Sequence, residues 1–213
     1  MKDQILQTLL LIPGILIGLT FHEYAHAIVA DRLGDKTPRF QGRLTLNPFV
    51  HIDPIGFIMI LIFKFGWAKP VQTNPSAFKS YYKDDLKVSI AGPLANLVVA
   101  FVSGIFAVLF IKLVNSFSMN ADLANIIFQM LIAAVSMNCM LFVLNLIPIP
   151  GFDGFHVLRD LFPKFFYNIS DTLYRYQFII MIIFLVSPLA GYIIGRPSMY
   201  LQTIIFNMIK SLI

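Results

Sequence analysis

The chain has 213 residues, of which 58% are hydrophobic and only 13% are charged, and its mean hydropathy is +0.78. This composition is too apolar for a water-soluble domain, and it also excludes a disordered chain and a nucleic-acid-binding domain. The net charge of +5 is better explained by basic loops on the cytoplasmic side of a membrane than by a polyanionic partner. The single cysteine, Cys139, excludes an intramolecular disulfide and a cysteine metal cluster. We therefore expect a protein of the lipid bilayer with no nucleic-acid partner.

Long apolar runs predict the membrane crossings. A hydrocarbon core about 30 Å thick requires roughly 20 helical residues. Four runs have about that length and a fifth is borderline; in chain order they are about 5–30, 88–115, 123–147, 176–195 and 198–213. The first run is too long for a cleavable signal peptide and no small-residue cleavage site follows it, so we expect it to remain in the protein. The sequence predicts an all-α multi-pass membrane protein with about five transmembrane helices.

A shorter apolar run, about 55–66, lies between the first two predicted crossings. It has about a dozen residues and is bounded by Pro54 and Pro70, which indicates a re-entrant or interfacial segment. Basic residues precede and follow it, which places both flanks in the cytoplasm; they are Arg32, Lys36, Arg39 and Arg43 before it, and Lys69, Lys79, Lys83 and Lys87 after it. The first and third crossings then run towards the cytoplasm, and the second runs away from it.

Two segments beside this run have the pattern of short strands. Residues 40–49 alternate polar and apolar side chains, and residues 67–74 are kept extended by their prolines. We predict that these two segments form a small membrane-associated β element.

Two histidines and the only glutamate of the chain lie together in the first predicted crossing, in the string FHEYAH. His22 and His26 are four residues apart, so they share one face of a helix, where two imidazoles can bind one zinc ion. Glu23 is next to the first histidine, where it can act as general base on a water that the metal activates. The alternative is a set of polar side chains that bond to one another in a helix bundle. Ionisable groups inside a membrane helix are costly and usually functional, which favours metal binding.

A catalytic zinc ion generally has three protein ligands, so a third ligand must come from elsewhere in the chain. The candidates are the other histidines, His51 and His156, and the aspartates. Asp31 and Asp35 lie in a charged loop, where we expect them to be solvated. His51 and Asp53 are better candidates for residues that support a ligand than for ligands themselves.

Asp153 is the strongest candidate for the third ligand. It follows the crossing 123–147 in the string NLIPIPGFDG, where the prolines end the helix and the glycines let the backbone turn. Its apolar surroundings require a compensating cation, which a zinc ion provides. The predicted topology brings Asp153 to the same cytoplasmic depth as His22 and His26. The sequence therefore predicts one zinc ion per chain, near the cytoplasmic face.

Two asparagines lie at the same predicted depth. Asn96 occurs in the string AGPLANL, where Gly92 and Pro93 suit the start of the second crossing, and Asn145 precedes the proline turn. The residues alone leave two roles open for each asparagine: a polar group of the site, or a side chain that packs between helices.

Five strings in the order HEYAH, GRLTLNP, WAKPV, AGPLAN and NLIPIPGFDG resemble the site-2 protease family of intramembrane zinc metalloproteases, in particular its compact members without PDZ or CBS domains. The resemblance covers roughly residues 18–160. It implies that Glu23 is the catalytic base and that the zinc ligands are His22, His26 and Asp153. It also implies that Asn96 and Asn145 belong to motifs that position the substrate.

The resemblance implies hydrolysis of peptide bonds within or next to transmembrane segments of membrane-protein substrates. A helical substrate hides its carbonyl groups, so we expect the edge at 40–49 to hold it as an added strand. We predict a catalytic core over residues 1–160, with three crossings and the β element, and a C-terminal transmembrane hairpin over 161–213. The alternatives are a metal-ion transporter and a non-catalytic membrane scaffold. Transporters usually bind their ions near the midplane, and neither alternative requires Glu23.

Overall fold

The computed structural model describes residues 2–63, 66–116 and 119–212, and no strand occurs among them. A 3₁₀ turn spans Pro75–Ala77, and a π-helical stretch spans Gly191–Gly195. The α-helices in chain order are α1 (Lys2–Leu33), α2 (Thr37–Phe40), α3 (Pro48–His51), α4 (Pro54–Phe63), α5 (Tyr81–Ser116), α6 (Ala121–Asn145), α7 (Asp153–Leu161), α8 (Pro163–Arg175), α9 (Gln177–Val186), α10 (Pro188–Ala190) and α11 (Arg196–Leu212).

Three helices, α1, α5 and α6, are long and apolar enough to cross a membrane. The shortest of them, α6, has 25 residues, and at 1.5 Å per residue it is about 38 Å long, more than the hydrocarbon core requires. Helices α8 and α9 qualify only as one bent pair, with an angle of 82° between them. α11 has only 17 residues. The predicted count of five transmembrane helices is therefore not confirmed.

α5 begins well before the predicted start of the second crossing. Its first turn is supported by Asp84, whose carboxylate accepts a hydrogen bond from the Ser80 N–H at 3.0 Å and pairs with Lys87 at 2.7 Å. Pro93 thus lies inside the helix, fully buried. The prediction that Gly92 and Pro93 start this helix was wrong, because neighbouring groups in a membrane bundle let a helix continue through a proline.

α1 packs closely against α6 through two glycines one turn apart. A Cβ atom on Gly14 would lie 2.7 Å from the Cα of Ala134, and a Cβ atom on Gly18 would lie 2.6 Å from Asn138 Oδ1. Small residues at this spacing allow two membrane helices to approach each other. Since Gly14 meets Ala134 and Gly18 meets Asn138, α1 and α6 run in the same direction.

α5 runs opposite to α1. His22 contacts Asn96, whereas His26, one turn later in α1, contacts Val88, two turns earlier in α5. The relative directions of the three long helices are thus those of the predicted topology. The carboxyl-terminal part of α1, the amino-terminal part of α5 and the end of α6 therefore lie at one end of the bundle.

The predicted β element is not formed among the described residues. At 40–49 the chain turns at Gly42, which has a φ of +68°, and then enters α3. Asn47 caps α3, because its Oδ1 accepts a hydrogen bond from the Phe49 N–H at 3.1 Å. The alternation of polar and apolar residues in this stretch thus reflects turn and cap positions and not the two faces of a strand.

A buried arginine connects this turn to the segment 67–74. Arg43 is only 4% exposed, and its guanidinium group donates to the carbonyl oxygens of Val50 and Lys69. One isolated antiparallel bridge pairs Ile52 with Ala68. The two segments are therefore neighbours as predicted, but a side chain holds them together where a β ladder was expected.

α4 occupies most of the short apolar run predicted at about 55–66. It has 10 residues, so its length is about 15 Å, half of what a crossing requires. Residues 64 and 65 of the predicted segment lie outside the described residues.

α11 packs against both α5 and α6. Ile205 and Ile209 of α11 are buried in one cluster with Ala100 of α5 and with Val135 and Cys139 of α6. The C-terminal helix therefore shares a core with two of the long helices.

Candidate active site

Two histidines of α1 and the first residue of α7 meet at one end of the three long helices. His22 Nε2 and His26 Nε2 are 3.1 Å apart, and Asp153 Oδ2 lies 3.2 Å from the first and 3.3 Å from the second. Both histidines are buried, and the Asp153 side chain is only 19% exposed. In the described part of the chain, these three side chains form a group that can hold a metal ion, which we call the ligand group.

The other nitrogen of each histidine shows where the ring proton lies. His26 Nδ1 is 2.7 Å from the carbonyl oxygen of Val88, which can only accept, so Nδ1 donates. His22 Nδ1 is 2.7 Å from Asn96 Oδ1. The orientation of that amide follows from its Nδ2, which donates to the carbonyl oxygen of Gly18 at 3.0 Å. In both neutral rings, therefore, Nε2 carries a lone pair that points into the ligand group.

With both rings neutral, three lone-pair atoms face one another in the ligand group. Asp153 Oδ2 is buried and receives no hydrogen bond from the residues that the structure describes, which is unfavourable for a carboxylate without a cation. A tetrahedral zinc ion with bonds of about 2.0–2.1 Å holds its ligand atoms about 3.3 Å apart. The separations in the ligand group, 3.1 to 3.3 Å, are close to that value. The residues present therefore fit a zinc ion.

Gly92 of α5 gives the two imidazole rings their space. A Cβ atom at this position would lie 2.2 Å from His26 Nε2 and 2.6 Å from His22 Cε1. No side chain fits there unless both rings move. Gly92, in the string AGPLAN, therefore allows α5 to approach α1 closely.

The turn after α6 brings Asp153 to the histidines. Gly151 has a φ of +102°, in the left-handed region that favours glycine. Gly154 lies against the end of α6, where a Cβ atom would be 2.3 Å from the carbonyl oxygen of Leu146. α7 then begins at Asp153, and a helix amino terminus favours a negatively charged side chain.

Glu23 is held by the main chain between α4 and α5. The Val71 N–H donates to Glu23 Oε2 at 2.8 Å. The segment is anchored on both sides of this bond, because Lys69 N–H donates to the end of α3 at 2.9 Å and Asn74 N–H donates to Asp35 Oδ2 at 2.6 Å. A backbone donor on an anchored segment therefore orients the carboxylate beside the ligand group.

A cavity of about 560 Å³ opens beside these groups. Its volume is typical of ligand and substrate sites. The ligand group, Glu23 and Val71 line it, together with Tyr81, Asp85, Asn145, Phe152, His156 and Arg159.

Charged side chains of α7 form one wall of the cavity. Arg159 pairs with Asp85 of α5, and its Nε lies 2.8 Å from Asp160 Oδ1. Burial lowers the pKa of His156, against the opposing charges of Asp153 and Asp160. Burial also raises the pKa of Asp160, which the hydrogen bond from Arg159 opposes. The ion pair between Arg159 and Asp85 connects α7 to α5. No motif in the sequence indicated this contact.

The two predicted asparagines have different surroundings. Asn96 is completely buried and its amide is bonded at both ends, so it faces the helices and not the cavity. Asn145 lines the cavity, and its Nδ2 donates to the carbonyl oxygen of Leu141 at 3.0 Å. A third asparagine, Asn138, was missed; its Oδ1 accepts a hydrogen bond from Asn96 Nδ2 at 3.1 Å. The available signal was a polar residue inside an apolar crossing, seven positions before Asn145.

Two of the weaker candidates lie outside the ligand group. His51 is completely buried, and its Nε2 lies 2.7 Å from the carbonyl oxygen of Thr45. Asp53 Oδ1 accepts a hydrogen bond from the Gly56 N–H at 2.7 Å, at the start of α4. Both residues stabilise the chain between α3 and α4.

Asp31 and Asp35 are buried, so the prediction that they are solvated was wrong. Asp31 pairs with Arg39 at 2.8 Å and with Lys36 at 3.2 Å. Asp35 Oδ1 accepts a hydrogen bond from the Thr37 N–H at 2.9 Å. Two basic side chains thus satisfy Asp31, and the backbone N–H groups of Thr37 and Asn74 satisfy Asp35, which permits the burial of both carboxylates.

The chain is similar to several proteins that bear the name of a zinc metalloprotease. It is 38% identical to YwhC of Bacillus subtilis (strain 168) over 198 residues, which cover 88% of this chain and 88% of the relative. It is 32% identical to Rip2 of Mycolicibacterium smegmatis over 191 residues, or 84% of this chain and 68% of the relative. Rip2 of Mycobacterium tuberculosis (strain ATCC 25618 / H37Rv) is 30% identical over 87% of this chain and 70% of its own length.

No solved structure matches the chain. The sequence profile of peptidase family M50 matches residues 10–188, which include both histidines of α1, Glu23 and Asp153. The match extends over most of the chain, and it agrees with a buried group of two histidines and a carboxylate that fits zinc. The chain therefore belongs to peptidase family M50, the site-2 protease family of zinc metalloproteases.

Proposed function

We propose that this protein is an intramembrane zinc metalloprotease that hydrolyses peptide bonds within or next to transmembrane segments of membrane-protein substrates. In this proposal His22, His26 and Asp153 bind one zinc ion and Glu23 is the general base. One observation carries the proposal: three lone-pair atoms meet beside a glutamate whose carboxylate is held in place.

Glu23 has the geometry of a base, with one oxygen that no hydrogen bond from the described residues occupies. Bound zinc would supply a Lewis acid that activates water and polarises the scissile carbonyl group. The Val71 N–H occupies Glu23 Oε2, which leaves Oε1 to accept the proton of the attacking water. Glu23 then passes this proton to the amine nitrogen as the peptide bond breaks. The rings of His22 and His26 would not compete for the proton, because each Nδ1 already donates to a fixed acceptor and each Nε2 lone pair would be held by the ion.

The segment around Val71 is the edge that we propose for the substrate, in place of 40–49. It lines the cavity, and the main chain of Gln72 and Thr73 makes no hydrogen bond to other main-chain groups of the described residues. A substrate that unwinds and pairs with these groups would be held extended, with its carbonyl groups accessible. The β pairing in this proposal is between the segment around Val71 and the substrate, and not between 40–49 and 67–74.

Asn145 is the asparagine that we propose for substrate binding. Its side chain lines the cavity, where its amide can bond to the main chain of an extended substrate. Asn96 supports His22 instead, because it is completely buried behind that ring.

We propose a multi-pass protein of the cell membrane with its active site near the cytoplasmic face. Basic residues flank the end of the bundle that holds the ligand group, among them Arg32, Lys36, Lys83 and Lys87, as the positive-inside rule expects. α11 would be a further membrane-embedded helix, since it shares a buried core with α5 and α6.

The test uses purified protein with its zinc content measured, incubated with a panel of transmembrane peptides. We expect about one zinc per chain and cleavage of at least one peptide. Glu23→Gln should keep the zinc. Its cleavage rate should fall about 10²- to 10⁴-fold, which is the usual contribution of a general base. Proteolysis at the original rate in Glu23→Gln would contradict this mechanism. Zinc binding by the original chain without cleavage of any peptide would favour the transporter or the scaffold.

A further inference from the structure

Asn138 is a polar side chain in the middle of α6 that the proposed chemistry does not use. It is completely buried, and its Nδ2 donates to two carbonyl oxygens, that of Ala134 at 2.9 Å and that of Gly14 at 3.3 Å. Both partners can only accept hydrogen bonds, so the orientation of the Asn138 amide is determined. Its Oδ1 must point away from these carbonyl groups, towards α5.

A series of hydrogen bonds connects Asn138 Oδ1 to the ligand group. It accepts from Asn96 Nδ2 at 3.1 Å, and the same Nδ2 donates to the carbonyl oxygen of Gly18 at 3.0 Å. With both hydrogens of its amide used, Asn96 turns Oδ1 towards His22, whose Nδ1 donates to it at 2.7 Å. Each hydrogen bond in this series therefore determines which group donates and which accepts in the next one.

The tight contact between α1 and α6 holds Asn138 in place. A Cβ atom on Gly18 would lie 2.6 Å from Asn138 Oδ1 and 3.2 Å from its Cγ. The α1 backbone therefore lies directly against the amide and supplies two of the carbonyl groups in the series of hydrogen bonds, those of Gly14 and Gly18. A rotation of the Asn138 amide by half a turn would place its nitrogen against Asn96 Nδ2 and its oxygen against two carbonyl oxygens.

We propose that Asn138 is a positioning residue of the metal centre: through Asn96, it holds His22 in the tautomer whose Nε2 binds the ion. The inference rests on the proposed function, because it takes the ligand group as the zinc site. Partners one step behind a metal ligand typically change metal affinity by about 10- to 100-fold when they are removed. Asn96 is such a partner, and Asn138 is one step further away.

The test is a double-mutant cycle on zinc affinity, measured with the detergent-solubilised full chain by competition with a chelating dye, per folded protein. We expect Asn96→Leu to weaken zinc binding about 10- to 100-fold and Asn138→Leu to weaken it about three- to tenfold. The variant that carries both changes should bind zinc as Asn96→Leu does, since Asn138 acts only through Asn96.

Ser136→Ala is the matched control. Ser136 lies on the same helix and its Oγ bonds to Gln202 Oε1 of α11 at 3.2 Å, so the variant loses a bond between helices on another face of α6. Its zinc affinity should equal that of the original chain. If Asn138→Leu does not fold, Asn138→Ala replaces it, with the same expected loss of about three- to tenfold and the same contradicting result. Asn138→Asp is the rescue variant: its protonated carboxyl group still offers an acceptor to Asn96, so it should bind zinc more tightly than the variant without an acceptor, within about threefold of the original chain.

Two results would overturn the inference. One is a zinc affinity of Asn138→Leu equal to that of the original chain. The other is a loss in the double variant equal to the product of the two single losses, which is the result for two independent structural effects. Failure of the proposed function is distinguishable from both, because the original chain would then bind no zinc or cleave no peptide.

Discussion

The ligand group and Glu23, the proposed general base, are held by two different regions of the molecule. The histidines are fixed from inside the bundle, by Asn96 and the Val88 carbonyl group of α5. Glu23, although adjacent to His22 in sequence, is fixed from outside the bundle, by Val71 on the segment between α4 and α5. We therefore expect that metal binding and proton transfer can be disturbed separately. The segment that holds Glu23 also lines the cavity.

The largest expected effect removes a proposed metal ligand. Asp153→Ala leaves two imidazoles and eliminates the only carboxylate of the ligand group. We expect zinc content to fall to near zero after dialysis against a mild chelator, and cleavage to be lost with it. Both are measured on one preparation, by metal analysis and by peptide cleavage. Zinc retained at one per chain would show that the ion binds elsewhere.

Gly92→Ala disturbs the same region without removing a ligand. The new Cβ atom would lie 2.2 Å from His26 Nε2, so the rings must move. We expect zinc affinity to fall by at least about tenfold, comparable to the loss of a residue that supports a ligand. Gly191→Ala is the matched control, because no atom lies within 4 Å of a Cβ atom there. Equal zinc affinities in the two variants would mean that the rings have more freedom than these contacts allow.

Val71→Pro disturbs the other region. Proline has no N–H group, so the variant loses the donor to Glu23 Oε2. We expect kcat to fall about tenfold while zinc affinity stays unchanged, because the base loses its orientation and the ligand group does not. Val71→Ala keeps the N–H and serves as the control, with a kcat near that of the original chain. A parallel loss of zinc would show that the two regions are not separable.

The smallest expected effect concerns the substrate. Asn145→Leu removes an amide from the cavity wall but leaves both regions intact. We expect KM to rise about three- to tenfold, the value of one hydrogen bond, with zinc affinity and kcat nearly unchanged. Steady-state kinetics on a cleaved peptide separates the two constants. A fall in kcat at constant KM would assign Asn145 to the chemical step and not to binding.

The sequence was sufficient to predict the ligand group. Helical spacing placed His22 and His26 on one face of α1. The positive-inside rule gave α6 the direction that brings Asp153 to them. The structure adds the geometry: the three ligand atoms lie 3.1 to 3.3 Å apart. Helical periodicity and topology are enough to predict a site that consists of a motif on one helix and a residue just after the end of another.

The supports of the site were not predictable in the same way. The donor to Glu23 is a backbone N–H, which every residue except proline has, so no residue type marks Val71. Asn138 was visible as a polar residue in an apolar helix, but its partners follow from the packing of α1 on α6 at Gly14 and Gly18. The strand at 40–49 was wrongly inferred because a buried arginine and a helix cap produce the same alternation as a strand.

X-ray absorption at the zinc edge of the purified protein tests the central claim most directly. We expect nitrogen and oxygen atoms only around the zinc ion, at about 2.0–2.2 Å, with the outer-shell signal of two imidazole rings. His22→Ala should reduce that signal to one ring or remove the zinc. Two results would contradict a zinc site of two histidines and one aspartate. One is a sulfur ligand at about 2.3 Å, which would have to come from Cys139 or from another molecule, and the other is a site with no imidazole signal.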